Sequence, residues 1–189
     1  MNVLGISGTP RENGNSDILL GYALKPFREN GWGVQHIRLR EITVQPCRAC
    51  EECKIKGECV IEDDMHLIYD ALRWCDALFI STPVYSRNVS SRVMAVLDRS
   101  YALNNKRLLK GKVGGAIAVG RGTCGGQTIT INAIYNWMLS SGVICVPGEL
   151  NGVTAVASEP GDILKQEKRL RQAEILGENV LNVALKLRS

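Results

Sequence analysis

The sequence predicts an α/β fold in which helices cover both faces of a parallel β-sheet. Short apolar runs of strand length alternate with longer segments of helical periodicity along the chain. Such alternation is typical of βαβ units, whose crossover helices pack on the faces of a parallel sheet. The length of 189 residues and the hydrophobic fraction of 45% predict a single domain spanning residues 1–189.

Five apolar runs are predicted to form the strands of this sheet. They cover residues 2–7, 33–39, 76–82, 112–119 and 143–147. Helical segments lie between them, at residues 16–29, 63–75, 91–104 and 126–141. The TITIN stretch in the last of these segments alternates like a strand, but we predict a helix there. After Asp162, apolar residues recur every three or four positions, which predicts a long amphipathic helix closing the domain.

Five parallel strands permit the flavodoxin-like order 2-1-3-4-5. In that order, ligands bind beyond the carboxyl ends of strands 1, 3 and 4. The corresponding loops cover residues 7–15, 82–90 and 120–127, and a cysteine-rich loop at residues 45–62 follows strand 2. These loops are the candidate sites.

Composition and charge argue against several classes of partner. The net charge is only +4, and basic residues are mixed with acidic ones, as in KQEKRLRQAE, so we expect no nucleic-acid partner. We find no signal-peptide pattern and no apolar run of membrane-spanning length, so we expect a cytoplasmic protein with no membrane partner. Seven cysteines in a domain of this size favour reduced thiols or metal ligands over disulfides.

The first loop, SGTPRENGNS, has the composition of an anion site. It contains several side-chain donors and one fixed cation, namely Ser7, Thr9, Asn13, Asn15, Ser16 and Arg11. The loop ends where the first helix begins, so free amides and the positive end of the helix dipole face the same cavity. The Walker pattern and the GxGxxG dinucleotide pattern are both absent. A hydroxyl-rich loop suits a terminal phosphate monoester, which points to a mononucleotide such as FMN. The alternative is an ordinary βα turn with a helix cap at Asn15 or Ser16.

The second loop, STPVYSRNVSS, has features that suit a planar heterocycle. Pro83 fixes the exit from strand 3, Tyr85 offers an aromatic face, and the amides of residues 85–89 can meet a polar ring edge. The alternative is a plain helix entry capped by Ser90 or Ser91.

In order and spacing, SGTPRENGNS, TPVYSRNVSS followed by LDR, and GTCGGQ resemble the NADPH-dependent FMN reductase superfamily. The intervening CxxCxxCxxxxxC pattern narrows the resemblance to the iron–sulfur flavoproteins. The resemblance implies that the FMN phosphate is held by Ser7, Thr9, Arg11, Asn15 and Ser16. It implies that the isoalloxazine is held by Thr82, Pro83, Val84, Tyr85, Asn88 and Val89, and approached by Gly125, Gly126 and Gln127.

Arg87 departs from the pattern of these relatives, many of which have glycine at the equivalent position. If that position requires a positive φ, arginine is strained there. A second hypothesis is that its cation lies near flavin N1 or O2 and favours the reduced, anionic flavin. An Arg87→Ala variant with an unaltered flavin potential would rule this second hypothesis out.

The cysteine-rich loop places four thiols at a spacing that favours a [4Fe–4S] cluster. Cys47, Cys50, Cys53 and Cys59 are separated by two, two and five residues. Three thiols at short spacing wrap around one face of a cubane, and Gly57 lets the chain return with the fourth. Zinc is the competing ligand, but four-cysteine zinc sites are usually built from two CxxC pairs separated by a longer spacer.

The sequence therefore predicts a relay of electrons from a ferredoxin-like or NAD(P)H donor to a small acceptor such as a quinone, O2 or peroxide. No catalytic side chain is expected, because the flavin carries the chemistry. The alternatives are an NAD(P)H-dependent FMN or quinone reductase with structural zinc, and a flavin-based redox sensor. The cysteine loop lies at least two strand spacings from the ring loops, so we expect electron transfer between subunits of a homodimer or homotetramer, the assemblies that the resemblance implies.

Overall fold

A computed structural model describes residues 1–104, 107–123 and 126–188. Within these residues a parallel sheet has six strands: β1 (Asn2–Ser7), β2 (Gly33–Arg38), β3 (Ala77–Pro83), β4 (Val113–Gly120), β5 (Ile144–Cys145) and β6 (Val153–Val156). The strands follow the order β2-β1-β3-β4-β5, and β6 also pairs with β4. The predicted flavodoxin-like order is thus confirmed.

The sixth strand is a correction to the predicted count of five. The predicted strand at residues 143–147 is reduced to the two residues of β5, which pair only with Val113 and Gly114. Pro147 lacks an N–H donor and ends the strand. The remaining length of β4 is therefore open to a second partner, and β6 pairs with Ile117–Gly120. The four-residue VTAV run of β6 was too short to be recognised in the sequence.

The helices are α1 (Asn15–Ala23), α2 (Lys25–Glu29), α3 (Glu52–Lys56), α4 (Met65–Trp74), α5 (Ser91–Arg99), α6 (Tyr101–Asn104), α7 (Gly126–Ser140) and α8 (Glu167–Lys186). A 3₁₀ turn at Asp162–Lys165 precedes α8. The helix predicted at residues 16–29 is divided into α1 and α2, because Pro26 has no N–H for the helical ladder. The helix predicted at residues 91–104 is also divided, into α5 and α6, with Ser100 between them. Within the described ranges, none of these helices has the length and apolarity of a membrane span.

The helix α7 resolves the ambiguous TITIN stretch. Its buried residues Ile131, Ile134 and Met138 are spaced as on one helix face, and they pack into the core with α4 and α5. The helices α1, α2 and α8 pack on the other face of the sheet. Successive residues of β1, β3 and β4 alternate between these two cores, so the three central strands are covered on both sides.

Candidate functional site

A cavity of about 490 Å³ lies beyond the carboxyl ends of the central strands. Cofactor sites commonly have volumes of about 300–1,000 Å³. Its walls come from the loop after β1, the loop after β3, the end of β4 and a segment after β6. We call residues 157–163 of this segment the strap. The lining residues are Thr9, Arg11, Gly14, Asn15, Ser16, Pro83, Val84, Tyr85, Ser86, Val119, Arg121, Ala157 and Ser158.

Seven of the residues predicted to hold FMN line this cavity: Thr9, Arg11, Asn15, Ser16, Pro83, Val84 and Tyr85. The described residues Ser7, Thr82, Asn88, Val89, Gly126 and Gln127 lie outside the lining and support it from behind. Gly125 and the neighbouring Cys124 fall outside the described residues. Arg121 lies in the predicted loop of residues 120–127 but was not singled out there, and the strap was not recognised as part of the site.

Ser16 supplies an unused hydrogen-bonding group where the first loop and the start of α1 line the cavity. It lies in the first turn of α1, where the backbone amides have no partner within the helix. Its hydroxyl oxygen is buried and has no hydrogen-bond partner among the described residues. Buried polar groups are normally satisfied, so an unpaired hydroxyl beside helix N-terminal amides indicates a place for an anion. Ser7 lies at the end of β1 and is fully buried.

Thr9 and Gly14 keep the two sides of the first loop close together. A Cβ atom added at Gly14 would come within 2.4 Å of Thr9 Oγ1. Thr9 Oγ1 accepts a hydrogen bond of 3.2 Å from the backbone amide of Arg11. Arg11 Nη1 in turn donates to the carbonyl oxygen of Ser158 over 2.8 Å. The guanidinium of Arg11 therefore lies between the strap and the first loop, SGTPRENGNS, which we call the phosphate loop after its predicted ligand.

Asn15 fastens the strap to the phosphate loop. Its Nδ2 donates to the carbonyl oxygen of Glu159 over 2.8 Å, and its Oδ1 accepts from the amide of Ile163 over 3.1 Å. The amide of Gly161 also donates to the carbonyl oxygen of Asn13 over 3.1 Å. Both ends of the Asn15 amide are thus engaged within the protein. Its side chain also lines the cavity, at a position for which the resemblance implies a phosphate ligand.

A buried carboxylate connects the first turn of α1 to β2. Asp17 Oδ1 lies 2.7 Å from His36 Nε2, and Asp17 Oδ2 accepts from Arg38 Nε over 2.9 Å. Burial alone would raise the pKa of Asp17, but hydrogen bonds from His36 and Arg38 hold this pKa well below its usual range. Arg40 Nη1 lies 3.5 Å from the same carboxylate. The negative charge in the first turn of α1 is therefore balanced by cations of β2 and the turn after it.

We expect an Asp17→Asn variant to be less stable than the wild-type protein at pH 7, by about 1.5–3 kcal/mol, because a charged hydrogen-bonding partner is lost. The depressed pKa means that this stabilisation is fully present above the unfolded-state pKa near 3.8 and is lost as pH falls further. Urea unfolding at pH 7 and at steps down to pH 3 measures the difference. Glu178→Gln at the exposed pair with Arg171 is the control. A difference that stays constant down to pH 3 would contradict the prediction.

The loop after β3 contains a tight turn with two residues of positive φ. The backbone groups of Tyr85 and Asn88 exchange hydrogen bonds of 3.0 and 2.9 Å. Between them, Ser86 has φ 48° and Arg87 has φ 63°. Positive φ at both central residues defines a type I′ turn, which usually carries Asn-Gly. Arg87 therefore has the positive φ at which an arginine is strained, and the turn holds strained backbone beside the cavity.

An Arg87→Gly variant should be more stable than the wild-type protein. Relief of the left-handed strain, about 1–2 kcal/mol, exceeds the added freedom of glycine in the unfolded chain, about 0.4–1 kcal/mol. We expect Tm to rise by about 2–4 °C. Thermal unfolding of the cofactor-free protein measures this change. Arg121→Gly, at an exposed loop arginine without positive φ, should not raise Tm. An unchanged or lower Tm for Arg87→Gly would contradict the prediction.

Thr82 joins the first and second loops from behind the cavity. Its Oγ1 accepts from the amide of Ser90 over 3.0 Å, and Ser90 Oγ donates to the carbonyl oxygen of Gly8 over 2.9 Å. Ser90 Oγ also accepts from the amide of Val93 and so caps α5. Asn88 Oδ1 accepts from the amide of Val89, whose side chain is buried in the core. These contacts fix the shape of the loop after β3.

The start of α7 closely approaches the second loop, which follows β3. A Cβ atom added at Gly126 would lie 2.8 Å from Val84 Cγ1 and 3.3 Å from Arg87 Cα. Gln127 is buried, and its Nε2 donates to the carbonyl oxygen of Gly122 over 2.8 Å. Gly126 therefore permits close packing of the third loop against the second, and Gln127 braces the third loop.

The four cysteines of the loop after β2 line a second cavity. It is bounded by Cys47, Arg48, Cys50, Glu51, Cys53, Cys59, Val60, Ile61, Asp98, Arg99, Tyr101 and Ala102. Cys47 and Cys50 are exposed, and Cys53 and Cys59 are partly buried against the core. Within the described ranges, no three His, Cys, Asp or Glu side chains are already grouped closely enough to hold one metal ion.

The backbone of this loop is strongly curved. Ala49 and Glu51 have φ 50° and φ 60°, so each two-residue spacer contains a residue in the left-handed region. The amide of Ala49 donates to Cys47 Sγ over 3.4 Å. The helix α3 then ends at Gly57, which has φ 73° and reverses the chain as expected for a glycine helix stop. The curvature brings the four thiols to one cavity.

The electrostatics of the thiols differ along the loop. Burial raises the pKa of Cys53, and the negative charges of the other three thiolates raise it further. Burial alone would also raise the pKa of Cys59, but a backbone hydrogen bond from Ile61 and the guanidinium of Arg99 lower it. Four thiolates in one cavity repel each other, and Arg99 offsets part of this charge at Cys59.

Known proteins are similar to this chain over most of its length. The model of the NADPH-dependent FMN reductase family matches residues 1–156. An iron-sulfur flavoprotein from Methanocaldococcus jannaschii is 37% identical over 187 residues, which are 97% of this chain and 97% of that protein. An iron-sulfur flavoprotein from Methanosarcina thermophila is 40% identical over 147 residues, which are 77% of each protein.

Solved structures share the fold at lower identity. A WrbA-like flavodoxin from Agrobacterium tumefaciens has a TM-score of 0.72 at 17% identity, covering 98% of both chains. An NAD(P)H:quinone oxidoreductase from Methanothermobacter marburgensis has a TM-score of 0.70 at 16% identity, covering 95% of this chain and 96% of that one. These structures show the fold alone, whereas the family match and the sequence relatives show the family. This chain is an oxidoreductase of the iron–sulfur flavoprotein family, within the NADPH-dependent FMN reductase superfamily.

Proposed function

We propose that this protein, as one domain of residues 1–189, carries FMN and a [4Fe–4S] cluster. Its function would be to relay electrons from a ferredoxin-like or NAD(P)H donor to a small acceptor such as a quinone, O2 or peroxide. The observation that carries this proposal is a cavity lined by all four cysteines of residues 45–62, in a chain that has a second cavity lined by Ser16 with its unpaired hydroxyl. FMN exchanges one or two electrons and a cluster exchanges one. The pair would therefore connect a one-electron partner with a two-electron partner.

The cavity beyond β1, β3 and β4 fits a flavin mononucleotide. The unpaired Ser16 hydroxyl and the N-terminal amides of α1 suit a phosphate group. Pro83, Val84 and Tyr85 supply an apolar and aromatic wall for a planar ring. Arg11 holds the strap beside the first loop, so Ala157 and Ser158 of the strap form one wall of the cavity.

The cysteine cavity fits a cluster with four thiolate ligands. Cysteine is the usual ligand of iron–sulfur clusters, and clusters are bound by four thiolates in one loop or a few neighbouring segments. The donor set here is all sulfur, and Ala49 and Arg99 direct N–H groups at Cys47 and Cys59. Such N–H groups stabilise thiolate charge.

We propose a homodimer or homotetramer in which electrons cross between subunits. The cysteine loop follows β2 and the ring loop follows β3, with β1 between them, so two strand spacings, about 10 Å, separate them along the sheet. Apolar side chains near the cysteines are exposed: Ile55 is 85% exposed, Tyr101 43% and Val60 37%. Exposed apolar groups around a redox site suit a subunit interface.

An Ile55→Glu variant tests the assembly. We expect its mass by sedimentation to fall to that of a monomer, and the rate of internal electron transfer after rapid reduction to fall, while both cofactors remain bound. Lys56→Glu on the same helix is the control for added negative charge. A monomer that keeps the full rate of electron transfer would refute transfer between subunits.

Anaerobic purification followed by iron, sulfide, zinc and flavin analysis tests the proposed function. About four irons and four sulfides with one FMN per chain would support the relay. One zinc and one FMN without sulfide would favour the alternative of an NAD(P)H-dependent FMN or quinone reductase with structural zinc. Both cofactors without turnover by any donor, but with a redox-dependent partner complex, would favour the flavin-based sensor. Absence of flavin would overturn the assignment of both loops.

A further inference from the structure

A buried arginine contacts one of the four thiols. Arg99 lies at the end of α5, and its Nη2 is 3.5 Å from Cys59 Sγ. The side chain of Arg99 is only 1% exposed. A guanidinium keeps its charge throughout the accessible pH range. The structure therefore places a permanent positive charge, shielded from water, against a single cysteine of the cavity.

Three further contacts fix the orientation of this guanidinium. Its Nη1 pairs with the carboxylate of Asp63 and donates to the carbonyl oxygen of Gln45 over 3.2 Å. Its Nη2 donates to the carbonyl oxygen of Ile61 over 3.2 Å. The carbonyls of Gln45 and Ile61 come from the two ends of the cysteine loop, so Arg99 holds both ends. The side chain of Tyr69 fixes the backbone of Arg99 through a hydrogen bond of 2.8 Å to its carbonyl oxygen.

Asp63 is itself held in place. It is buried with Arg99, and its side chain is 3% exposed. Its carboxylate accepts from the amide of Gln45 over 2.7 Å and from the amide of Met65 over 3.0 Å. A buried ion pair is weak support for a purely stabilising role, because apolar residues of similar volume are often as stabilising. The added contact to Cys59 instead connects this pair to the redox site.

Hydrogen bonds to ligating sulfur are among the main determinants of cluster reduction potential. Reduction adds negative charge to the cluster and its sulfur ligands. A cation and an N–H donor at Cys59 stabilise that added charge. Water does not reach the Arg99 side chain, so its contact with Cys59 is screened less than a contact on the surface.

We propose that Arg99 is a positioning residue that raises the reduction potential of the cluster through its contact with Cys59, with Asp63 fixing its orientation. This inference rests on the proposed cluster.

Redox titration of the holoprotein, followed by EPR for the cluster and by absorbance for the flavin, tests this inference. In Arg99→Gln we expect the equilibrium constant for cluster reduction to fall by about tenfold, which is about 59 mV for one electron. The flavin potential should stay at its wild-type value. Arg99→Lys keeps the charge beside Asp63 but loses the guanidinium fork, and it should shift the cluster potential in the same direction.

Arg92→Gln is the matched control. Arg92 lies two turns earlier on α5 and donates to the carbonyl oxygen of Leu39, just after β2, without touching a cysteine. Its substitution should leave the cluster potential unchanged. If Arg99→Gln fails to fold, Arg99→Lys decides the matter: a lowered potential supports the inference and a wild-type potential overturns it. Loss of the cluster from both Arg99 variants would assign Arg99 to holding the loop and would also overturn it.

The two proposals fail in different ways. A wild-type protein without iron and sulfide overturns the proposed function. A wild-type protein with a cluster whose potential is the same in both Arg99 variants overturns only the role of Arg99.

Discussion

An Asp63→Ala variant is expected to lose about 3–5 kcal/mol of its free energy of unfolding. Removal of one partner from a buried ion pair leaves the other charge in an apolar environment without compensation. Here the remaining charge would be Arg99, which has almost no exposure to water. The variant would also lose the bonds from the amides of Gln45 and Met65, which fix the start of α4 and the entry to the cysteine loop. Urea unfolding of the cofactor-free protein measures the loss.

Asp70→Ala is the matched control for that experiment. Asp70 pairs with Arg73 on the surface of α4, and its side chain is 73% exposed. Exposed pairs contribute about 0–1 kcal/mol, so this variant should unfold close to the wild-type denaturant midpoint. An Asp63→Ala variant that is as stable as Asp70→Ala would show that water reaches Arg99 and would contradict the prediction.

A Ser16→Ala variant should bind FMN about 10–100-fold more weakly than the wild-type protein. The Ser16 hydroxyl is buried and unpaired, and a hydrogen bond from such a group to a phosphate contributes about 1.5–3 kcal/mol. Riboflavin, which lacks the phosphate, should bind both proteins equally. Fluorescence titration of the cofactor-free protein with each flavin separates the two effects.

Ser140→Ala, at an exposed serine at the end of α7, is the control and should leave both affinities unchanged. Equal weakening of FMN and riboflavin by Ser16→Ala would indicate a general disturbance of the cavity. Unchanged FMN affinity would mean that the phosphate lies elsewhere. Either result would contradict the placement of the phosphate at the start of α1.

The central strands were predictable from the sequence because each is an apolar run bounded by polar loops, and the observed order is one that such a parallel sheet permits. The division of the first predicted helix at Pro26 was less visible, because proline is tolerated in the first turn of the second helix. The strand β6 was missed because its pairing depends on how much of β4 is left open by β5, which is a property of the folded sheet.

Local motifs identified the phosphate loop and the cysteines, but not the residues that come from far along the chain. The strap at residues 157–163 reaches the cavity only after β6 has returned to the sheet, and its sequence is an ordinary turn. Arg99 belongs to the LDR stretch that contributes to the family resemblance, but the sequence does not show that the fold buries it against Cys59. Asn15 lines the cavity, and the sequence did not reveal that its side-chain amide also bonds to the strap.

The strap also bears on how long a cofactor stays bound. It begins immediately after residue 156, where the match to the reductase family ends. A ligand leaving the cavity on that side would have to break the contacts that Asn13 and Asn15 make with Gly161, Glu159 and Ile163. The strap also contributes Ala157 and Ser158 to the cavity wall. The residues that shape the site would therefore also slow the exit of its ligand, so a change in the strap should alter the dissociation rate as well as the fit.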